Sequence, residues 1–139
     1  MSRSRVTALL SADAPASRSA IAARSNKLLT TITFKSVADG DYDLLVEPED
    51  AITIASMVAQ TTGTAACTVN AKIGDQGLTN FASITGLSAV SASTTRTSTN
   101  ATAANVLAAS GTTARCLRVT VSGTTGTGNL VLAFKGTVA

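Results

Sequence analysis

Residues 50–73 read DAITIASMVAQTTGTAACTVNAKI, and the pattern within them decides the fold. Cys67, Val69, Ala71 and Ile73 alternate with Thr68, Asn70 and Lys72. A period of two is the signature of a strand with one buried face. Upstream, Ile52 and Ile54 keep the same period, and the phase then slips at Met57 and Val58. A slip of this kind predicts a β-bulge, or a bend where the strand crosses between sheets. Thr61–Thr64, built around Gly63, is the turn, so the stretch is expected to form a hairpin. The device returns at Cys116–Lys135. There Leu117, Val119 and Val121 alternate, a loop at Gly123–Gly128 follows, and Leu130, Leu132 and Phe134 line one face. Thr-Thr-Gly-Thr occurs at both turns, at 61–64 and 124–127. Beyond it the agreement is too thin for a duplicated unit, so the echo reads as two hairpins meeting the same turn chemistry.

Working outward, Leu28–Lys35 is a strand with Leu28, Thr30, Ile32 and Phe34 on one face and many β-branched residues. Asp39–Gly40 is a turn, and Asp41–Val46 is a second strand carrying Tyr42, Leu44 and Val46. Glu47–Asp50 is a loop, because Pro48 restricts its predecessor and lacks an amide donor. Weaker strands are expected at Leu78–Ile84 and Ala89–Thr97. Ser88–Asn105, rich in Ser, Thr and Ala, reads as a solvated edge or long loop. About eight strands, with turn signals every eight to twelve residues or so, predict an all-β antiparallel sandwich. Its expected topology is jelly-roll-like, with an immunoglobulin-like arrangement as the alternative. A true immunoglobulin domain is disfavoured by the absence of Trp and by poorly placed cysteines. The sandwich domain is expected over 28–139. Residues 1–27 differ in composition and are expected to be an N-terminal arm: a short helix opened by Pro15, an extended segment that orders on assembly, or a frayed terminus.

The 139 residues suit one domain, but the core material is thin. Much of the 45% hydrophobic content is Ala, with three Phe, one Tyr and no Trp. Each buried large side chain contributes roughly 1.5–3 kcal/mol and Ala far less, so subunit contacts are expected to supply part of the burial. Charge is unevenly placed. Arg3, Arg5, Arg18, Arg24 and Lys27 make the arm a candidate docking element. Asp39, Asp41, Asp43, Glu47, Glu49 and Asp50 form a candidate acidic contact patch. A basic arm beside an acidic patch fits docking between protein subunits. Nucleic acid is a poorer fit, since no aromatics are interleaved for base stacking.

No catalytic, cofactor or metal residues are expected. The chain has no His, which removes the usual triads and His-based zinc hydrolysis. Asp39, Asp41 and Asp43 alternate on one strand face, where weak Ca²⁺ binding is conceivable, but their spacing is not that of an EF-hand loop. An acidic edge that discourages edge-to-edge pairing accounts for them better. Asp43 and Glu49 lack the aromatic platforms that usually accompany a glycosidase pair. The Gly-containing loops lack the Lys and the following helix of a phosphate loop. Cys67 and Cys116 sit in opposite phase, so they read as unbridged, with Cys67 a small buried hydrophobe. No apolar stretch is long enough to span a bilayer, and the start of the chain does not read as a signal peptide.

The stretches DYDLLVEPEDAITIASMVAQTTGTAACTVNAKIGD and LRVTVSGTTGTGNLVLAFKG, with the Ser/Thr/Ala-rich middle, resemble small β-sandwich virion proteins of tailed bacteriophages. These are head-decoration, head-fibre or tail-associated proteins. The resemblance covers about residues 28–139. It implies a non-enzymatic protein of the virion head or tail, made in the host cytoplasm and self-assembling, often as a trimer. An N-terminal portion attached to a major capsid or other virion protein is implied as well. A carbohydrate- or host-surface-binding module and a tail tube or adaptor component are the alternatives.

Overall fold

The computed structural model describes residues 26–45 and 48–139. The expected arm therefore lies outside the described residues up to position 25. Lys27, counted with the arm in the sequence reading, is the first residue of a strand.

Ten strands are present among the described residues: β1 (Lys27–Phe34), β2 (Gly40–Leu45), β3 (Ile52–Thr61), β4 (Ala66–Gly74), β5 (Ala82–Ser83), β6 (Val90–Ala92), β7 (Thr97–Asn100), β8 (Val106–Leu107), β9 (Cys116–Thr125) and β10 (Leu130–Val138). The first sheet runs β1-β10-β3-β7, with β8 also on β3; the second runs β2-β9-β4-β5, with β6 also on β4. The strand pairs are antiparallel. Successive long strands alternate between sheets, β1 and β3 in one, β2 and β4 in the other, and β9 and β10 return between them. That is jelly-roll order, and it excludes the immunoglobulin-like alternative.

This order corrects the hairpin reading. β3 and β4 do not pair with each other, and neither do β9 and β10. Each Thr-Thr-Gly-Thr turn is instead an arch that carries the chain from one sheet to the other. The physical reason lies in the partners. β10 pairs along all of β3 and β9 along most of β4, so each strand already has a long neighbour in its own sheet. Face-to-face packing of the two arms of an arch then buries both apolar sides. The weak strands also shrink: Leu78–Ile84 yields the two residues of β5, and Ala89–Thr97 yields β6 and the start of β7.

The core lies between the sheets. Cys67, Val69, Ala71 and Ile73 from β4, Leu117, Val119 and Val121 from β9, and Leu130, Leu132 and Phe134 from β10 are all buried, as their alternation predicts. The slip in β3 is a bulge. Ile54 faces Gly136 and Ser56 faces Lys135, so Ala55 is the extra residue. Ile54 before it and Met57 and Ala59 after it all turn inward. The carbonyls at this bulge are satisfied from the connection that follows β7. The Ala101 amide donates to Ala55 O at 2.8 Å, and the Asn105 side-chain amide donates to Ile54 O. A second irregularity corrects the reading of β1. The register skips Leu29, between Leu28 and Thr30. Leu29 therefore packs against the core while Leu28 is left 61% exposed.

Candidate docking surfaces

The acidic residues separate into two groups. β2 is the edge of the second sheet, and its register sets Asp41 opposite Thr120 and Asp43 opposite Arg118. The Asp43 carboxylate accepts two hydrogen bonds from the Arg118 guanidinium, the second at 3.0 Å from Nη2. Asp41 accepts from the Thr120 hydroxyl at 2.6 Å, and Asp39 accepts from the Thr124 amide at 2.9 Å. Arg118 also lies over the Phe81 ring, 3.8 Å from its centroid. The three carboxylates that could have converged on a cation are thus engaged by β9: Asp43 and Asp41 share Arg118, whose Nη1 lies 3.7 Å from Asp41, and Asp39 takes the Thr124 amide. Among the described residues no three His, Cys, Asp or Glu side chains are grouped to hold a metal ion. Glu49 and Asp50 are different: both are exposed, in the connection that leads into β3. Glu47 lies outside the described residues, as do Arg3, Arg5, Arg18 and Arg24; Lys27 is exposed.

The Arg118 pairing has a pH signature. Hydrogen bonding from Arg118 holds the Asp43 carboxyl below its ordinary value of 3.8, against a smaller opposing effect of burial. The folded protein therefore binds this proton more weakly than the unfolded chain. The stabilisation is complete above the unfolded value and is lost as pH falls through the lower folded value. Asp43→Asn is expected to flatten the fall in melting temperature below about pH 4. Melting curves recorded across the acid range check this, and an unchanged slope in the variant would refute it.

Asp75, the one acid of the C-terminal half, is a structural tie. Its carboxylate accepts from the Asn80 side chain at 2.8 Å and from the Ala114 amide at 3.3 Å. Its backbone carbonyl accepts from the Cys116 thiol at 2.9 Å. The loop after β4 is thereby fastened to the loop before β9. Both cysteines are free and buried, and burial is the largest influence pushing each thiol above its ordinary value.

At the opposite end the two arches lie side by side. The Thr64 amide donates to Thr127 O and the Thr127 amide to Thr64 Oγ1, at 2.9 and 3.0 Å. The Thr62 amide donates to Asn129 O and the Asn129 amide to Thr62 Oγ1, both at 2.9 Å. The hydroxyls of Thr62 and Thr64, both in the first turn, thus accept bonds that amides of the second arch would otherwise lack.

The two flanks of the sandwich differ. Along the β1 and β2 edges, Leu29, Ile32, Phe34, Tyr42 and Leu44 are only partly buried. Phe34 and Tyr42 meet there as a tilted ring pair with centroids 5.0 Å apart. Between these edges opens a cleft of about 520 Å³ lined by apolar residues, among them Leu29, Ile32, Leu44, Ile54, Leu117 and Phe134. Asp43 stands in its wall. Sequence reasoning missed this cleft. The signal that bears on it is the placing of apolar residues on two strands that each have a single neighbour.

No protein-family model matches the sequence, and no curated protein matches it. Among solved structures the chain is similar to a chain in the structure of infectious bursal disease virus Gx strain. The two are 12% identical with a TM-score of 0.35, over 79% of this chain and 37% of that one.

Proposed function

We propose that the chain is a non-enzymatic structural protein of a virus particle. It decorates or reinforces the head or tail of a tailed phage by assembling with copies of itself, as a trimer, and by docking through its N-terminal arm onto a capsid or other virion protein. The observation that carries this reading is the unequal finish of the sandwich. Three of its polar clusters, around Asp43, around Asp75 and at the arches, are engaged in holding strands and loops together. On the β1–β2 flank, by contrast, none of the described residues covers the apolar surface, on the side where they begin. A surface of that kind is suited to another protein segment. The sequence resemblance to phage virion proteins points the same way. A glycan-binding reading is less well supported, because Phe81, an aromatic ring on the charged outer face, already has a guanidinium over it.

The test is assembly. A chain lacking residues 1–25 is expected to retain a β-rich circular dichroism spectrum and a cooperative melt, yet to be absent from particles assembled in its presence. Particles carrying the truncated chain at full occupancy would overturn the reading.

A further inference from the structure

We propose that the β1–β2 cleft is the receptor for the apolar run Val6–Leu10 of this chain, with Arg3 and Arg5 meeting its acidic rim. In the assembled protein the run comes from a neighbouring copy. That choice of donor rests on the assembly reading above, whereas the receptor itself does not.

Three observations lead here. The first is the cleft's chemistry, an apolar trough open along two strand edges with Asp43 in its wall. Asp43 is already paired with Arg118, and Asp41 lies 3.7 Å from the same guanidinium, so the acidic rim rests on Glu49 and Asp50. Glu49 and Asp50 are exposed just before Ile52, another lining residue. The second is the composition of residues 1–25. Leu9–Leu10 is the one place where two large apolar residues adjoin, and Val6 and Ala8 extend the run. Arg3 and Arg5 stand immediately before it, so a basic-then-apolar segment meets an acidic-rimmed apolar trough. The third is position. The described chain begins at Asn26, and Leu29 and Thr30 already line the cleft. Residues 11–25 separate the run from Asn26 and span up to about 50 Å when extended, enough to reach the same flank of an adjoining copy. Such a contact joins unlike surfaces, head to tail, and closes into a ring when the rotation permits. A trimer is one such ring.

Engineered thiols in the full chain test this. Ala8→Cys combined with Thr30→Cys puts one thiol in the run and one on the cleft; Ala8→Cys with Ser91→Cys puts the second on β6, at the far edge of the other sheet. Cys67 and Cys116 are buried and do not compete. Under copper–phenanthroline oxidation the Thr30 pair is expected to link at least about tenfold faster than the Ser91 pair, because a docked segment raises the local thiol concentration. Adding Leu9→Asp and Leu10→Asp is expected to remove that advantage without touching the sandwich. Equal rates for the two pairs, or an advantage that survives the Asp substitutions, overturns the receptor. On a non-reducing gel, linked oligomers support a neighbour as donor. Linkage confined to single chains keeps the receptor but overturns the neighbour and, with it, the arm-mediated assembly reading.

Discussion

Gly126→Ala is expected to lower the melting temperature by about 10 °C or more, and Gly123→Ala by only about a third of that. Both glycines have left-handed backbones, with φ of 69° and 62°, so both substitutions introduce strain of roughly 1–2 kcal/mol. Their surroundings separate them. A Cβ at Gly123 meets nothing within 4 Å. A Cβ at Gly126 runs into the carbonyl oxygen and the hydroxyl of Thr64 in the other arch. Neither can yield freely, because the Thr64 hydroxyl and amide are engaged in bonds to Thr127. Overpacking against such neighbours adds about 1–3 kcal/mol. The difference between the two variants therefore isolates the contact between the arches from the strain of the turn. Scanning calorimetry reads it directly, and equal losses would show that the arches do not press on each other.

Phe134→Ala is expected to remove about 3–5 kcal/mol of stability, measured by urea unfolding. Phe134 is 1% exposed and is the one fully buried aromatic among the described residues. It sits on β10, between β1 and β3, and also lines the β1–β2 cleft. Truncation there enlarges a void that already exists, so the neighbours have little to collapse onto. In a core otherwise built of Ile, Leu, Val, Met, Ala and Cys, no second ring takes over its packing. Phe134→Leu, which keeps most of the volume, is expected to lose under about 1.5 kcal/mol. A loss for Ala as small as that for Leu would mean that the cleft continues through the phenyl site.

The strands of the core were legible because their inward residues alternate without interruption. Cys67 to Ile73, Leu117 to Val121 and Leu130 to Phe134 are buried as the period of two requires. What alternation cannot reveal is the identity of the neighbour. A short Thr-Gly turn joins strands that pair and strands that face each other equally well, and the outcome depends on β9 and β10, more than fifty residues downstream of the first turn. Bulges limit legibility in another way. The one at Ala55 announced itself as a phase slip a few positions late. The one at Leu29 stayed hidden, because Leu28 and Leu29 are the same residue type and either can be drawn inward. At the candidate surfaces, the alternation of Asp41 and Asp43 was plain in the sequence. Their partners Thr120 and Arg118 were not, although those two occupy the polar phase of an equally regular strand.

The pairing pattern also bears on how the chain is made. β1 pairs with β10, β2 pairs with β9, and β3 and β4 take their longest partners from the same two strands. While the first 115 residues emerge during synthesis, none of these four strands has its main partner. Both sheets acquire their centres together, once Cys116–Val138 leaves the ribosome. Closure between such distant segments is slow, and until it occurs the apolar faces of four strands stand open to other chains. A product truncated before β9 keeps only the short pairings of β3 with β7 and β8 and of β4 with β5 and β6, and leaves β1 and β2 without a partner strand.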